Sequence, residues 1–181
     1  MRFLTKLTSC AVMAACVGGA GAQVLGPVIP TASGVVPSSA PGNGAPSLPV
    51  GQFGAVLSEN VKWQPFAAFP PEARLAVLVG EPTKAGPYVV RVKLPAGVKL
   101  MPHTHPEDRI YTVVSGVFYI GLGTTFDPDK LQAYAPGSVI VLPANTPHFH
   151  WAKSGDYMTQ VAGTGPLGIK YVDPHDDPRG H

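Results

Sequence analysis

Glycine and proline, 21 of each among 181 residues, punctuate this chain so often that few stretches escape interruption for more than a dozen positions. Proline removes a backbone donor and glycine costs a helix about 1 kcal/mol, so long helices are excluded and short strands joined by turns are favoured. From Phe53 onward the texture fits that expectation. Strand length and composition recur at Arg74–Val79, Tyr88–Leu94, Arg109–Ser115, Val117–Leu122, Ser138–Leu142, His148–Ala152, Tyr157–Gly163 and Gly168–Val172. Val90-Arg91-Val92-Lys93-Leu94 alternates cleanly, charge outward and apolar inward. Many short strands at close spacing predict an all-β sandwich or barrel. One short helical stretch is expected around Asp127-Pro128-Asp129-Lys130-Leu131-Gln132, with Asp127 as the cap and proline at the first helical position.

Two segments precede this region. Residues 1–22 read as a secretory signal: Arg2 and Lys6 form a basic start, Leu7 to Val17 an apolar stretch, and Ala20-Gly21-Ala22 a cleavage site before Gln23. The apolar stretch is too short to serve as a membrane span, so the mature protein is expected in the periplasm or outside the cell. Met13-Ala14-Ala15-Cys16 offers a competing reading, a lipid anchor at Cys16. Both cysteines, Cys10 and Cys16, fall inside the leader, which leaves a chain cut after Ala22 without a disulfide. Residues 23–52 carry Pro27, Pro30, Pro37, Pro41, Pro46 and Pro49 among Gly, Ser and Ala, without charge, and read as a disordered linker. The folded domain is therefore expected over residues 53–181.

The formal charge of +2 comes from Arg2 and Lys6; from residue 23 onward 11 basic side chains meet 11 acidic ones. A balanced domain has no electrostatic footprint for nucleic acid or an anionic membrane, so a small molecule is the expected partner.

Four of the six histidines form two His-X-His pairs, His103-Thr104-His105 and His148-Phe149-His150. Residues two apart on a strand share a face, so each pair can aim both rings into one interior. Their surroundings resemble the two motifs of the cupin superfamily, G-(X)5-H-X-H-(X)3-4-E-(X)6-G and G-(X)5-P-X-G-(X)2-H-(X)3-N. Gly97, His103, His105 and Gly116 fall on the first in register, and Gly137, Pro143 and His148 on the second. The resemblance covers roughly residues 74–172. It implies a single antiparallel jelly-roll barrel and one divalent metal held by His103, His105 and His148, with Fe preferred and Mn, Ni, Cu or Zn also suited to imidazole.

The chain departs from the motifs at three positions: Arg109 stands where the first has glutamate, Asn145 where the second has glycine, and Ala152 where it has asparagine. A guanidinium ~5 Å from a divalent ion costs roughly 6 to 7 kcal/mol at an effective dielectric of about 20. Either Arg109 turns away to pair with Glu107 or Asp108, or an anion lies between it and the metal, or no metal binds. Glu107 itself is favoured as a solvated charge over a replacement ligand, because Pro106 disturbs its strand. His150 is expected to face inward and to support the ligands from beside them. Tyr111 either lines the cavity or serves as a half-buried core aromatic.

By this resemblance the chain is expected to be a three-histidine, dioxygenase-like metalloenzyme acting on a small anionic substrate, with Arg109, Tyr111 and His150 as candidate catalytic residues. The alternative is a non-catalytic periplasmic module that binds a small molecule or metal; a purely structural barrel is a third reading. A homodimer through an edge strand is also expected.

Overall fold

The computed structural model describes residues 47–180. The signal expected at 1–22, with Cys10 and Cys16, lies outside the described residues, as do most of the linker and His181. Among the described residues there is no α-helix, only ten strands and three single 3-10 turns. The strands are β1 (Arg74–Val79), β2 (Gly86–Leu94), β3 (Lys99–Thr104), β4 (Arg109–Ser115), β5 (Phe118–Leu122), β6 (Gln132–Tyr134), β7 (Val139–Leu142), β8 (His148–Trp151), β9 (Tyr157–Gly165) and β10 (Lys170–Tyr171).

They form two five-stranded antiparallel sheets, ordered β1-β2-β9-β4-β7 and β10-β3-β8-β5-β6. Alternation decides the inner face of the first. Tyr88, Val90, Val92 and Leu94 of β2 are buried, opposite Val161, Thr159 and Tyr157 of β9, with Tyr111 and Val113 of β4 on the same face. Phe118 and Ile120 of β5 meet them from the second sheet, and Phe118 packs against Tyr111 and Tyr157 at centroid distances of 5.7 and 5.1 Å. Burying each such side chain contributes roughly 1.5–3 kcal/mol, so this double layer of aromatics and β-branched residues is the main source of stability.

The turn geometry follows the motif positions. Gly116, between β4 and β5, has φ +70, and a side chain there would strike the Asp156 carbonyl oxygen. Asn145, at the motif glycine position, also adopts a left-handed backbone (φ 59), a conformation asparagine tolerates better than most residues. The helical stretch expected from Asp127 is one 3-10 turn, Pro128–Lys130, capped by the Asp127 carboxylate accepting from the Asp129 N–H, and Gln132 already belongs to β6. Leu48, inside the expected linker, is fastened to the β1 edge: its N–H donates to Leu78 O and its carbonyl accepts from Gly80 N, each at 2.8 Å. Edge groups of β1 thereby gain partners, and ordered chain begins ahead of Phe53.

Candidate metal centre

β3 carries the irregularity that builds the site. Against β8, Leu100 pairs with His150 and His103 with His148, so three steps along β3 match two along β8. A regular strand would put Leu100 and His103 on opposite faces. The extra residue at Met101–Pro102 restores parity, and both point inward. Proline suits this place because a bulge asks for no ladder donor. His105 follows just beyond the strand end and shares the face of His103, while His148 and His150 alternate inward on β8.

His103 and His148 are fully buried, and His105 and His150 are 3% and 5% exposed. Ring centroids of His103, His105 and His148 lie 4.2 to 5.0 Å apart. One nitrogen from each of these three falls within 4.8 Å of the other two. The Nδ1 atoms are committed elsewhere: that of His103 donates to Met101 O (2.6 Å), that of His105 to Gly168 O (2.6 Å), and that of His148 to Thr146 O (2.9 Å). A carbonyl only accepts, so each proton sits on Nδ1 and each Nε2 carries a lone pair.

Burial drives all four imidazoles toward the neutral form. His148 is lowered to about 4, chiefly by desolvation; His103, His105 and His150 are also lowered by desolvation, with neighbouring imidazoles and Arg109 adding to it. Nε2 of His103 and of His148 is buried with no hydrogen-bond partner. Such orphaned acceptors call for a ligand. Three imidazoles on one ion at ~2.1 Å stand about 3 to 3.5 Å apart, so an inward shift of less than about 1 Å per ring closes the cage. Neutral imidazole donors of this kind fit a first-row divalent ion.

Arg109 lies at the start of β4, 4% exposed, and does not enter this cage. Its Nε and Nη2 donate to Glu107 Oε1 at 3.0 and 2.6 Å, the pairing that was one of the three sequence alternatives. Glu107 is correspondingly not a solvated charge: its side chain is 8% exposed and also accepts from the Tyr88 hydroxyl at 2.8 Å. Asp108, the other candidate partner, instead accepts from the Ala144 N–H at 2.7 Å.

His150 stands beside the cage, 5.0 Å from His148 and 5.4 Å from His103 between centroids, with its Nε2 buried and unpartnered. Tyr111 is fully buried rather than half-buried and its ring meets His150 edge-on at 6.0 Å. Its hydroxyl meets no partner in hydrogen-bond geometry. Burial raises its pKa and the nearby Arg109 charge works the other way. Tyr88 and Gly168, which join this environment from β2 and from the β9–β10 connection, had no local signal in the sequence. A cavity of about 550 Å3 opens between β5, β6 and β7, lined by Ile120, Leu122, Tyr134, Ile140 and Leu142 among others. Ile120 and Leu122 pair across the ladder with His150 and His148, so the cavity lies one cross-strand step from the imidazoles.

Comparison with known proteins decides the family. A family model described as Cupin matches residues 84–165, which include both His-X-His pairs. That segment is a cupin domain. Its fold is shared with KdgF from Halomonas sp. (23% identity over 62% of this chain and 94% of that one, TM-score 0.50). It is shared as well with an RmlC-like cupin from Ralstonia eutropha (23%, 70% and 76%, 0.53) and the polyketide cyclase RemF from Streptomyces resistomycificus (18%, 71% and 91%, 0.57). At these identities the likeness is one of fold. No curated protein matches the chain.

Proposed function

We propose that this chain is an exported metalloenzyme in which His103, His105 and His148 hold one divalent ion, iron by preference, for dioxygenase-like chemistry on a small organic anion. The observation that carries the reading is the convergence of three Nδ1-protonated imidazoles whose Nε2 lone pairs are left for a ligand, two of them buried without a partner. A bound divalent ion would supply Lewis acidity and, if iron, redox capacity. The chain's own residues set the rest. No protein carboxylate joins the three imidazoles, so the ion's full charge favours an anionic ligand. Glu107 pairs with Arg109 at 2.6 Å, which offsets part of the repulsion that an unpaired guanidinium would exert and leaves Arg109 as part of the wall rather than a free clamp. His150, with its unpartnered Nε2, is the group placed to accept or return a proton beside the cage, and Tyr111 borders it. Ile120, Leu122, Ile140 and Leu142 would receive an apolar body.

Elemental analysis of protein purified without chelators tests this reading. About one ion per chain is expected, lost in His103→Ala and kept in His150→Ala. Oxygen uptake is then screened with Fe(II) and small acids, thiols and diketones. A wild-type chain that binds no metal overturns the proposal.

The second reading, a non-catalytic binding module, draws on the burial of the rings, none more than 5% exposed. Metal without turnover would select it. Export and cleavage after Ala22 belong to the same proposal, and a mature mass beginning at Gln23, rather than a lipidated Cys16, is its check. So does a homodimer through an edge strand: β7 presents Val139 and Val141 outward beside Ile110 of β4, and light scattering reads the assembly state.

A further inference from the structure

The buried ion pair next to His105 is part of a larger connection that spans three strands. Gly163 of β9 pairs with Arg109 of β4 on one side and with Tyr88 of β2 on the other. A Cβ at Gly163 would lie 2.7 Å from the Tyr88 hydroxyl; without it, the Tyr88 ring crosses β9 and donates to Glu107 Oε1. That oxygen also takes both Arg109 bonds, while Glu107 Oε2 accepts from the Gly168 N–H at 3.3 Å. Arg109 Nη2 donates in addition to the Gly168 carbonyl at 3.1 Å, the same oxygen that accepts the His105 Nδ1 proton at 2.6 Å. Gly168 is thus held at both its backbone groups by one buried pair.

We propose that Tyr88, Glu107 and Arg109 are positioning residues for His105, acting through the Gly168 carbonyl, in a ligand set that has no carboxylate of its own. The inference rests on reading the three histidines as ligands. His103 and His148 take their Nδ1 acceptors from Met101 and Thr146, two residues away in sequence, so local backbone fixes both rings. His105 alone depends on an acceptor 63 residues distant, in a connection that lies outside the strands. Charge-assisted bonds from a planar guanidinium are the stiffest means of fixing that carbonyl. A carbonyl bound to Nδ1–H also sets the tautomer and raises the basicity of Nε2. Stability alone does not account for the pair, because apolar replacements of buried ion pairs are often as stable or more so.

The test uses full-length protein and three variants: Arg109→Lys, which keeps charge but loses the fork; Glu107→Gln; and Tyr88→Phe. Co(II) titration followed by its d–d absorption reads the ligand set, and long-range 1H–15N spectra of the metal-free protein read each histidine's tautomer. Arg109→Lys and Glu107→Gln are expected to weaken Co(II) binding about 10- to 100-fold and shift the bands, and Tyr88→Phe less. The His105 Nδ1–H signal should weaken in all three while that of His103 is unchanged. Folded variants with wild-type Co(II) affinity and an unaltered His105 signal overturn the inference. If Arg109→Lys fails to fold, Gly168→Ala serves: its Cβ would press on Pro106 Cγ at 2.7 Å, moving the carbonyl while keeping the ion pair. If the wild type binds no Co(II), the ligand reading fails, and the metal-free spectra still decide whether the ion pair orients His105.

Discussion

Lowering the pH of the metal-free protein from 8 to 5 should cost at least about 2 kcal/mol of stability, because four imidazoles are enclosed in neutral form. His148 is lowered to about 4, and His103, His105 and His150 are lowered too, burial being the largest cause in each. In the unfolded chain each ring takes up a proton near pH 6.5. A ring that stays neutral when folded forfeits RT ln(1 + 10^(6.5 − pH)), about 0.8 kcal/mol at pH 6 and about 2 kcal/mol at pH 5. His148 alone therefore forfeits about 2 kcal/mol at pH 5, and the other three rings act in the same direction, set against the 5–15 kcal/mol typical of a whole domain. The sign follows from the depressed folded pKa: the unfolded state binds more protons, so stability is complete above pH 6.5 and falls as the pH drops below it. Urea unfolding of chelator-treated protein, followed by fluorescence at pH 8, 6.5, 6 and 5, measures the curve. His150→Leu should take up fewer protons on unfolding and lose less stability at pH 5 than the wild type. A urea midpoint that is flat across this range, or that rises toward acid, would refute the reasoning.

Two further substitutions, one in a turn and one in the core, follow from the packing. Gly116→Ala places a Cβ against the Asp156 carbonyl at a residue with φ +70, and a loss of at least about 2 kcal/mol is expected in urea unfolding; wild-type stability would show that the β4–β5 turn is not tight. Tyr157→Phe removes a buried hydroxyl that has no partner, so stability should hold or rise by about 1–2 kcal/mol, and a loss larger than ~1 kcal/mol would mean that the hydroxyl is satisfied in solution.

The strands that carry plain alternation were legible from residues alone, and β1 and β4 have the bounds read from sequence. β3 was not, because Pro102 interrupts the run, and the bulge that excuses the proline is a property of its pairing with β8. β6 is three residues long and follows an apparent helix start that proves to be a single turn. The histidine pairs pointed to a shared interior through parity, and the structure brings three of the four into one cage. Arg109 was the opposite case. Its sequence position said that a carboxylate ligand is missing, and a nearby acid was one of several ways to settle the charge. That Glu107 is buried with it, and that both grip Gly168, depends on Tyr88 and on contacts about 60 residues apart, which no local pattern encodes.

Solvent hardly reaches the four imidazoles. His105 keeps 3% of its surface open while His103 and His148 have none, so an ion reaching the cage would pass by way of His105, and entry and exit are slow beside the coordination step itself. Which ion is found there would then reflect the ions the protein has met as well as equilibrium preference among first-row metals. Dialysis of the native protein against a competing metal should exchange slowly, and refolding in that metal at once, so the history of a preparation bears on which ion is found in it.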